Sequence, residues 1–209
     1  MSFFPDELWI KWFDLLSDQS YVIIDNFLPE EIYRTSRNSL IAHLVNEDFR
    51  KAGIGASAHR TVKDSVRGDF VYWLSRDKDV EHEKFFQLAD ELKEKLNRFC
   101  YLSLSGYEFH LAHYPPETRY EKHRDQFRDR SNRMISAVIY LNETWKPEDG
   151  GELKIHLPAD ECIIEPMARR CVLFQSDKTE HEVLITHVPR YSLTGWLLYN
   201  PAGVGSMIN

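Results

Sequence analysis

The 209-residue chain is predicted to be mainly β with flanking helices, an eight-stranded double-stranded β-helix (jelly roll) behind an N-terminal helical layer. Three observations carry that expectation. From Gly106 onward apolar residues recur at a period of two, in about eight short runs bounded by turn residues. No helical pattern interrupts those runs, which excludes the strand-helix alternation of a parallel sheet. Before Gly106 the apolar period is mostly three to four. With 43% hydrophobic and 28% charged residues, and only 9 Gly and 9 Pro, the composition excludes collagen-like and disordered chains. The length suits one domain over residues 1–209, with 1–105 as helical support and substrate-loop region and 106–200 as the jelly-roll core.

Taken in order, Pro5 opens a helix over 6–17 with Trp9, Trp12, Phe13 and Leu16 on one face. A short buried strand follows at 21–24. The run Leu28-Pro29-Glu30-Glu31 opens a second helix that turns Ile32, Leu40, Ile41 and Leu44 inward and fades near Asp48. Residues 51–58 are too rich in Gly and small residues for a regular element and read as a loop. A strand at 70–74 comes next, then a third helix over about 79–99 that buries Phe85, Phe86, Leu88, Leu92 and Leu96. The eight strands are expected at 107–114, 119–124, 134–141, 152–157, 162–165, 170–174, 182–187 and 191–199. Pro115-Pro116, Glu148-Asp149-Gly150-Gly151, Ser176-Asp177-Lys178 and Val188-Pro189 punctuate them. Eight antiparallel strands with no intervening helix are what a jelly roll requires.

A formal charge of −7 argues against a nucleic-acid binder, which needs clustered Lys and Arg in excess. No apolar run approaches the ~18 residues of a membrane span, and the first residues lack the basic and apolar regions of a signal peptide. Cys100, Cys162 and Cys171 have no zinc-type spacing and read as free thiols, so a cytoplasmic protein is expected.

The chemistry concentrates in the second half. In His123-Arg124-Asp125, the i, i+2 pair of an extended strand points His123 and Asp125 to one side. His181 opens a later strand after the turn Ser176 to Glu180. Two imidazoles and one carboxylate form the facial triad of non-haem Fe(II) sites, which leaves coordination positions open. Nine residues on, Arg190 carries a permanent charge whose fork matches a carboxylate, and a hairpin across Val188-Pro189 would bring it near the triad. His110 and His113, at i and i+3, face opposite ways and are set aside as ligands; His59, His82 and His187 read as surface residues or as bystanders around the site. Arg119, Lys122, Arg124, Arg128, Arg130 and Arg133 read as a basic stripe that would flank the cavity mouth.

With these residues in place, the chain resembles the Fe(II)- and 2-oxoglutarate-dependent oxygenases, within them the prolyl-hydroxylase-domain (prolyl 4-hydroxylase-like) group, over roughly residues 21–201. The resemblance rests on Leu111-Ala112-His113-Tyr114-Pro115 with Tyr120 to Asp125; on Arg133 with Val138-Ile139-Tyr140-Leu141-Asn142 and Gly150-Gly151-Glu152-Leu153, read as a hairpin; and on His181-Glu182-Val183 with Arg190 to Trp196. It implies that His123, Asp125 and His181 bind Fe(II), and that Arg190, helped by the Tyr140 hydroxyl and with Thr194 nearby, holds the remote carboxylate of 2-oxoglutarate. Tyr114 would lie near its chelating end, with Leu153, Val138 and Val183 as walls. It further implies that Arg67-Gly68-Asp69 forms a substrate-side loop whose Asp69 pairs with Arg133, and that Trp196 borders the substrate proline. The segment 126–132 departs from the family pattern.

The activity so implied is a dioxygenase that hydroxylates a prolyl residue in a protein or peptide, a translation component being one candidate, and releases succinate and CO₂. Ascorbate is an optional further cofactor. Two rivals stand beside it: oxidation of a free amino acid or other small metabolite, and a jelly-roll binding module without catalysis.

Overall fold

The computed structural model describes residues 2–53, 67–126, 132–158 and 160–199. The chain begins with α1 (Asp6–Gln19), β1 (Tyr21–Ile24), α2 (Glu30–Val45), β2 (Arg50–Lys51) and β3 (Phe70–Trp73). A single 3₁₀ turn (Val80–His82) leads into α3 (Glu83–Cys100). The core strands are β4 (Gly106–Tyr114), β5 (Thr118–His123), β6 (Arg133–Tyr140), β7 (Leu153–His156), β8 (Glu161–Ile164), β9 (Cys171–Gln175), β10 (Glu180–Thr186) and β11 (Arg190–Leu198). Each lies within two residues of its expected bounds, because the turn residues between the apolar runs mark where strands end.

These eight strands form two antiparallel four-stranded layers. One has the order β5-β10-β7-β8; the other, β9-β6-β11-β4, is extended by β1 on one edge and by β3 and β2 on the other to seven strands. That is the jelly roll, and it overturns two hairpins. β10 and β11 were expected to pair across Val188-Pro189, yet β10 pairs with β5 and β7 while β11 pairs with β4 and β6. Likewise β6 and β7 belong to different sheets. The β10–β11 link is three residues and the β6–β7 link twelve, and each crosses between sheets, so both inner faces contribute to one cavity.

The three helices cover the outer face of the larger sheet. Trp9, Phe13 and Leu16 of α1, Leu40 of α2 and Phe85, Leu92 and Leu96 of α3 pack with Leu111, Ile139, Leu173 and Leu193 into one apolar cluster. On α2 the buried stripe includes Tyr33, Ser36 and Ser39, while Ile41, expected inside, is exposed. His82, expected at the surface, is 1% exposed and faces Ser36. Of the three thiols only Cys171 is fully buried, and all are free. No described helix is long and apolar enough to cross a membrane. The loop expected at 51–58 falls largely, and His59 wholly, outside the described residues.

β11 is the centre of the larger sheet, and Gly195 sets how closely β4 can approach it. A Cβ there would lie 2.2 Å from the Glu108 carbonyl oxygen and 2.3 Å from the Phe109 ring. Gly195→Ala is therefore expected to lower stability by roughly 1–3 kcal/mol. A urea midpoint unchanged from the parent protein would contradict this close approach.

Candidate active site

Each ligand candidate is set by strand geometry. His123 ends β5 directly opposite His181 of β10, with ring centroids 4.3 Å apart, and Asp125 follows two residues later beyond the strand end. His123 Nε2 lies 3.5 Å from Asp125 Oδ1, and His181 Nε2 lies 3.7 Å from Asp125 Oδ2. The three donor atoms all fall within 4.8 Å of one another. Both imidazoles use Nδ1–H on a backbone carbonyl, His123 on Glu121 at 2.7 Å and His181 on Thr179 at 3.2 Å. The Nε2 lone pairs are thereby turned toward the carboxylate. Ser136 Oγ donates to Asp125 Oδ2 at 2.7 Å and is itself paired with Ser176.

The charge states suit a cation. Burial alone would raise the Asp125 carboxyl, but the facing His181 and His123 rings and the Ser136 hydroxyl hold it well below the usual range. Burial, reinforced by His123, lowers His181 to about 4. At neutral pH a carboxylate thus faces a neutral imidazole across a gap too long for a hydrogen bond. Two imidazole nitrogens and one anionic oxygen converging on a single point are the donor set of the 2-His-1-carboxylate site, so the residues present fit Fe(II).

Deeper in the same cavity, Arg190 begins β11 and is 3% exposed. Its Nε donates to the Gly151 carbonyl at 2.7 Å, and its guanidinium carbon lies 4.9 Å and 5.1 Å from the ring centres of Tyr114 and Tyr140. Gly151 has φ +76, and a Cβ there would meet Arg190 Cδ and Thr186 Oγ1 at 2.9 Å, so only glycine lets the backbone seat this arginine. The Tyr140 hydroxyl is buried and has no hydrogen-bond partner. A guanidinium beside an orphaned phenol fits a carboxylate, since an unpaired buried hydroxyl is costly and an anion would satisfy both donors.

The cavity, about 470 Å³ with its open mouth, is lined by the triad, Arg190, Tyr114, Thr194, Val138, Leu153, Val183, Arg67, Asp69 and Trp196. Tyr140 and Arg133 are not on its wall. The expected Asp69–Arg133 pair does not form. Asp69 instead takes Arg67 through two bonds of 2.6 Å and 2.9 Å. β3 and β6 are separated by β4 and β11, which places their backbones roughly 14 Å apart at ~4.8 Å per strand. Arg133 pairs with Glu108 at 2.6 Å and stacks over Trp196 at 3.4 Å.

The basic stripe is likewise broken: Arg119 pairs with Glu121, and Lys122 and Arg124 both face Glu180. Arg128 and Arg130 lie outside the described residues, as does most of the segment 126–132. His187 is exposed as expected, and His113 stacks on Tyr191 away from the cavity. Sequence reasoning missed His110, Ala112, Tyr120 and Ser192, all of which line the cavity. His110 was weighed only as a ligand, although 110, 112 and 114 share parity on one strand and hence one face.

A jelly roll whose two sheets close over two imidazoles, a carboxylate and a buried arginine defines a metal-dependent oxygenase class. The comparisons agree. Residues 109–198 match the model of the 2OG-Fe(II) oxygenase superfamily. A solved prolyl-4-hydroxylase from Pseudomonas putida is 32% identical, with a TM-score of 0.84 over 92% of this chain and 100% of that one. A prolyl hydroxylase from Trichoplax adhaerens, solved with a hypoxia inducible factor oxygen degradation domain peptide fragment, is 25% identical, with a TM-score of 0.82 over 92% and 90% of the two chains. A prolyl 4-hydroxylase of Phytophthora capsici shares the fold, at 24% identity and a TM-score of 0.73 over 95% of this chain and 67% of that one. The chain belongs to the 2OG-Fe(II) oxygenase superfamily, in its prolyl-hydroxylase-like group. It is an Fe(II)- and 2-oxoglutarate-dependent dioxygenase.

Burial lowers the folded-state pKa of His181, His110 and His82 below the unfolded value near 6.5. The unfolded chain therefore binds more protons below that pH. The metal-free protein is expected to hold full stability above about pH 6.5 and to lose it progressively toward pH 4. Urea midpoints that stay constant between pH 7.5 and pH 5 would contradict this.

Proposed function

We propose that the protein hydroxylates a prolyl residue of a protein or peptide. The observation that carries the reading is the cavity itself, in which a triad fit for Fe(II) and an arginine fit for a dicarboxylate share one wall system open toward an aromatic rim. In this reading His123, Asp125 and His181 hold the metal, and Arg190 with the Tyr140 hydroxyl holds the remote carboxylate of 2-oxoglutarate. Tyr114 and Thr194 flank the oxoacid, and Val138, Leu153 and Val183 keep its surroundings dry. Bound Fe(II) and 2-oxoglutarate supply the oxidation, in which O₂ gives one atom to the substrate C–H and the oxoacid leaves as succinate and CO₂.

The chain's own residues orient and exclude. The carbonyls of Glu121 and Thr179 fix the tautomer of both imidazoles, so neither can rotate its N–H into the centre. Ser136 holds the carboxylate in its ionised form. The charge of Arg190, desolvated between two phenol rings, orients the cosubstrate in one sense only. Arg67, Asp69 and Trp196 face the substrate from the cavity wall, and Arg133 stacks on Trp196. A polypeptide substrate is supported by the 25%-identical relative, whose structure holds a peptide. Three unpaired thiols support a reducing, cytoplasmic setting.

Mass spectrometry tests the reading. Candidate proteins, translation factors and ribosomal proteins among them, incubated with enzyme, Fe(II) and 2-oxoglutarate should gain one oxygen on a prolyl residue, with succinate formed alongside. Oxidation of free amino acids with none on peptide prolyls would overturn it. Anaerobic addition of Fe(II) and 2-oxoglutarate is expected to give a visible charge-transfer band in the parent protein and none in His123→Ala. Arg190→Ala is expected to weaken 2-oxoglutarate binding by roughly 2–5 kcal/mol, as for a buried charge that loses its partner. An unchanged dissociation constant would remove Arg190 from that role.

A further inference from the structure

Two buried nitrogens in the cavity wall have no part in the chemistry assigned above. His110 is 2% exposed and, among the described residues, its Nδ1 has no hydrogen-bond partner. Trp196 is 5% exposed and its indole Nε1 has none either. Both line the cavity that holds the triad. A buried polar group left unpaired is costly, so such groups gathered in one wall point to a ligand that satisfies them. Other polar groups of that wall are engaged: Arg67 with Asp69, Asp125 with Ser136, and Ser192 with Thr194.

The register of β4 and β11 says which ligand this is. Tyr114 faces Arg190, whereas His110 faces Thr194, four residues further along both strands. At ~3.3 Å per residue that is roughly 13 Å from the arginine. A five-carbon oxoacid held by Arg190, with four C–C bonds of about 1.5 Å, does not span that distance. His110 and Trp196 thus stand at the substrate end of the cavity. There the ring of Trp73, 42% exposed, extends the wall at 4.8 Å from His110 and 6.2 Å from Trp196.

Burial, with Arg67 and Arg133 nearby, keeps the His110 ring neutral. It then offers one donor and one acceptor, while the indole offers a donor only. A neutral donor-acceptor pair on an aromatic wall matches the polar groups of a peptide backbone.

We propose that His110 is a specificity-determining residue, which accepts an amide N–H of the substrate backbone while Trp196 donates its indole N–H to a neighbouring carbonyl oxygen. The seat rests on the polypeptide reading above and adds to it the side chain that reads the backbone.

The test uses the whole chain loaded with Zn(II) and 2-oxoglutarate, labelled with ¹⁵N, and a panel of N-acetylated, C-amidated prolyl tripeptides. The Trp196 indole resonance is expected to shift with these peptides and not with free proline. In turnover with Fe(II), His110→Phe should raise the peptide KM about tenfold. His110→Asn, whose amide keeps a donor and an acceptor near the Nδ1 position, should stay within about threefold. The 2-oxoglutarate dissociation constant should be unmoved in both. Equal KM defects in the two variants, or no indole shift with any blocked peptide, would overturn the seat. Peptides that shift the indole but are never oxidised would sink the prolyl reaction and leave the seat standing. Should His110→Phe fail to fold, the asparagine variant and the parent protein's indole shift decide the matter.

Discussion

A carboxylate buried beside two imidazoles whose Nε2 atoms lie 3.5 Å and 3.7 Å away is a costly arrangement that a cation would resolve. Much of the fold serves to impose it. His123 and His181 stand opposite each other on adjacent strands of the smaller sheet, while the hydroxyl that steadies Asp125 comes from Ser136 of the larger one. The site therefore ties the two layers together at their open edge. Its polar groups are satisfied in series, from backbone carbonyl to imidazole and from Ser176 through Ser136 to carboxylate.

The arginine end follows a second rule. A guanidinium taken out of water needs acceptors and flat surfaces, and Arg190 finds the Gly151 carbonyl and two tyrosine rings. Beside it stands the Tyr140 hydroxyl, which among the described residues has no hydrogen-bond partner.

Much of this was legible in the chain. Period-two patterning gave every core strand, and the His-x-Asp spacing with a later His and Arg picked out side chains that do converge, because such parity arguments need only local geometry. Connectivity was less legible. The Val188-Pro189 link looks like a hairpin turn, but the three residues His187 to Pro189 can equally step between sheets, and which they do depends on partners far away in sequence. The same limit misdirected Asp69: nothing local says that β4 and β11 lie between it and Arg133, whereas Arg67, two residues away, is within reach. His82 and Ile41 exchanged their expected environments because α2 packs through Ser36 and Ser39 as well as through its aliphatic side chains. His110 belongs to the wall because it shares its face of β4 with Ala112 and Tyr114, a parity that does not depend on metal binding.

One strand carries both ends of the cavity. Arg190, Ser192, Thr194 and Trp196 alternate along the same face of β11, which is hydrogen-bonded on both sides over nearly its whole length. A doubly flanked strand barely stretches, so with the roles proposed above it works as a ruler, the cosubstrate clamp at its first mark and the guest polypeptide at its last. Descendants of such a chain can exchange residues at the outer mark and acquire new targets while the inner mark, and the oxidising power it secures, stays where it was.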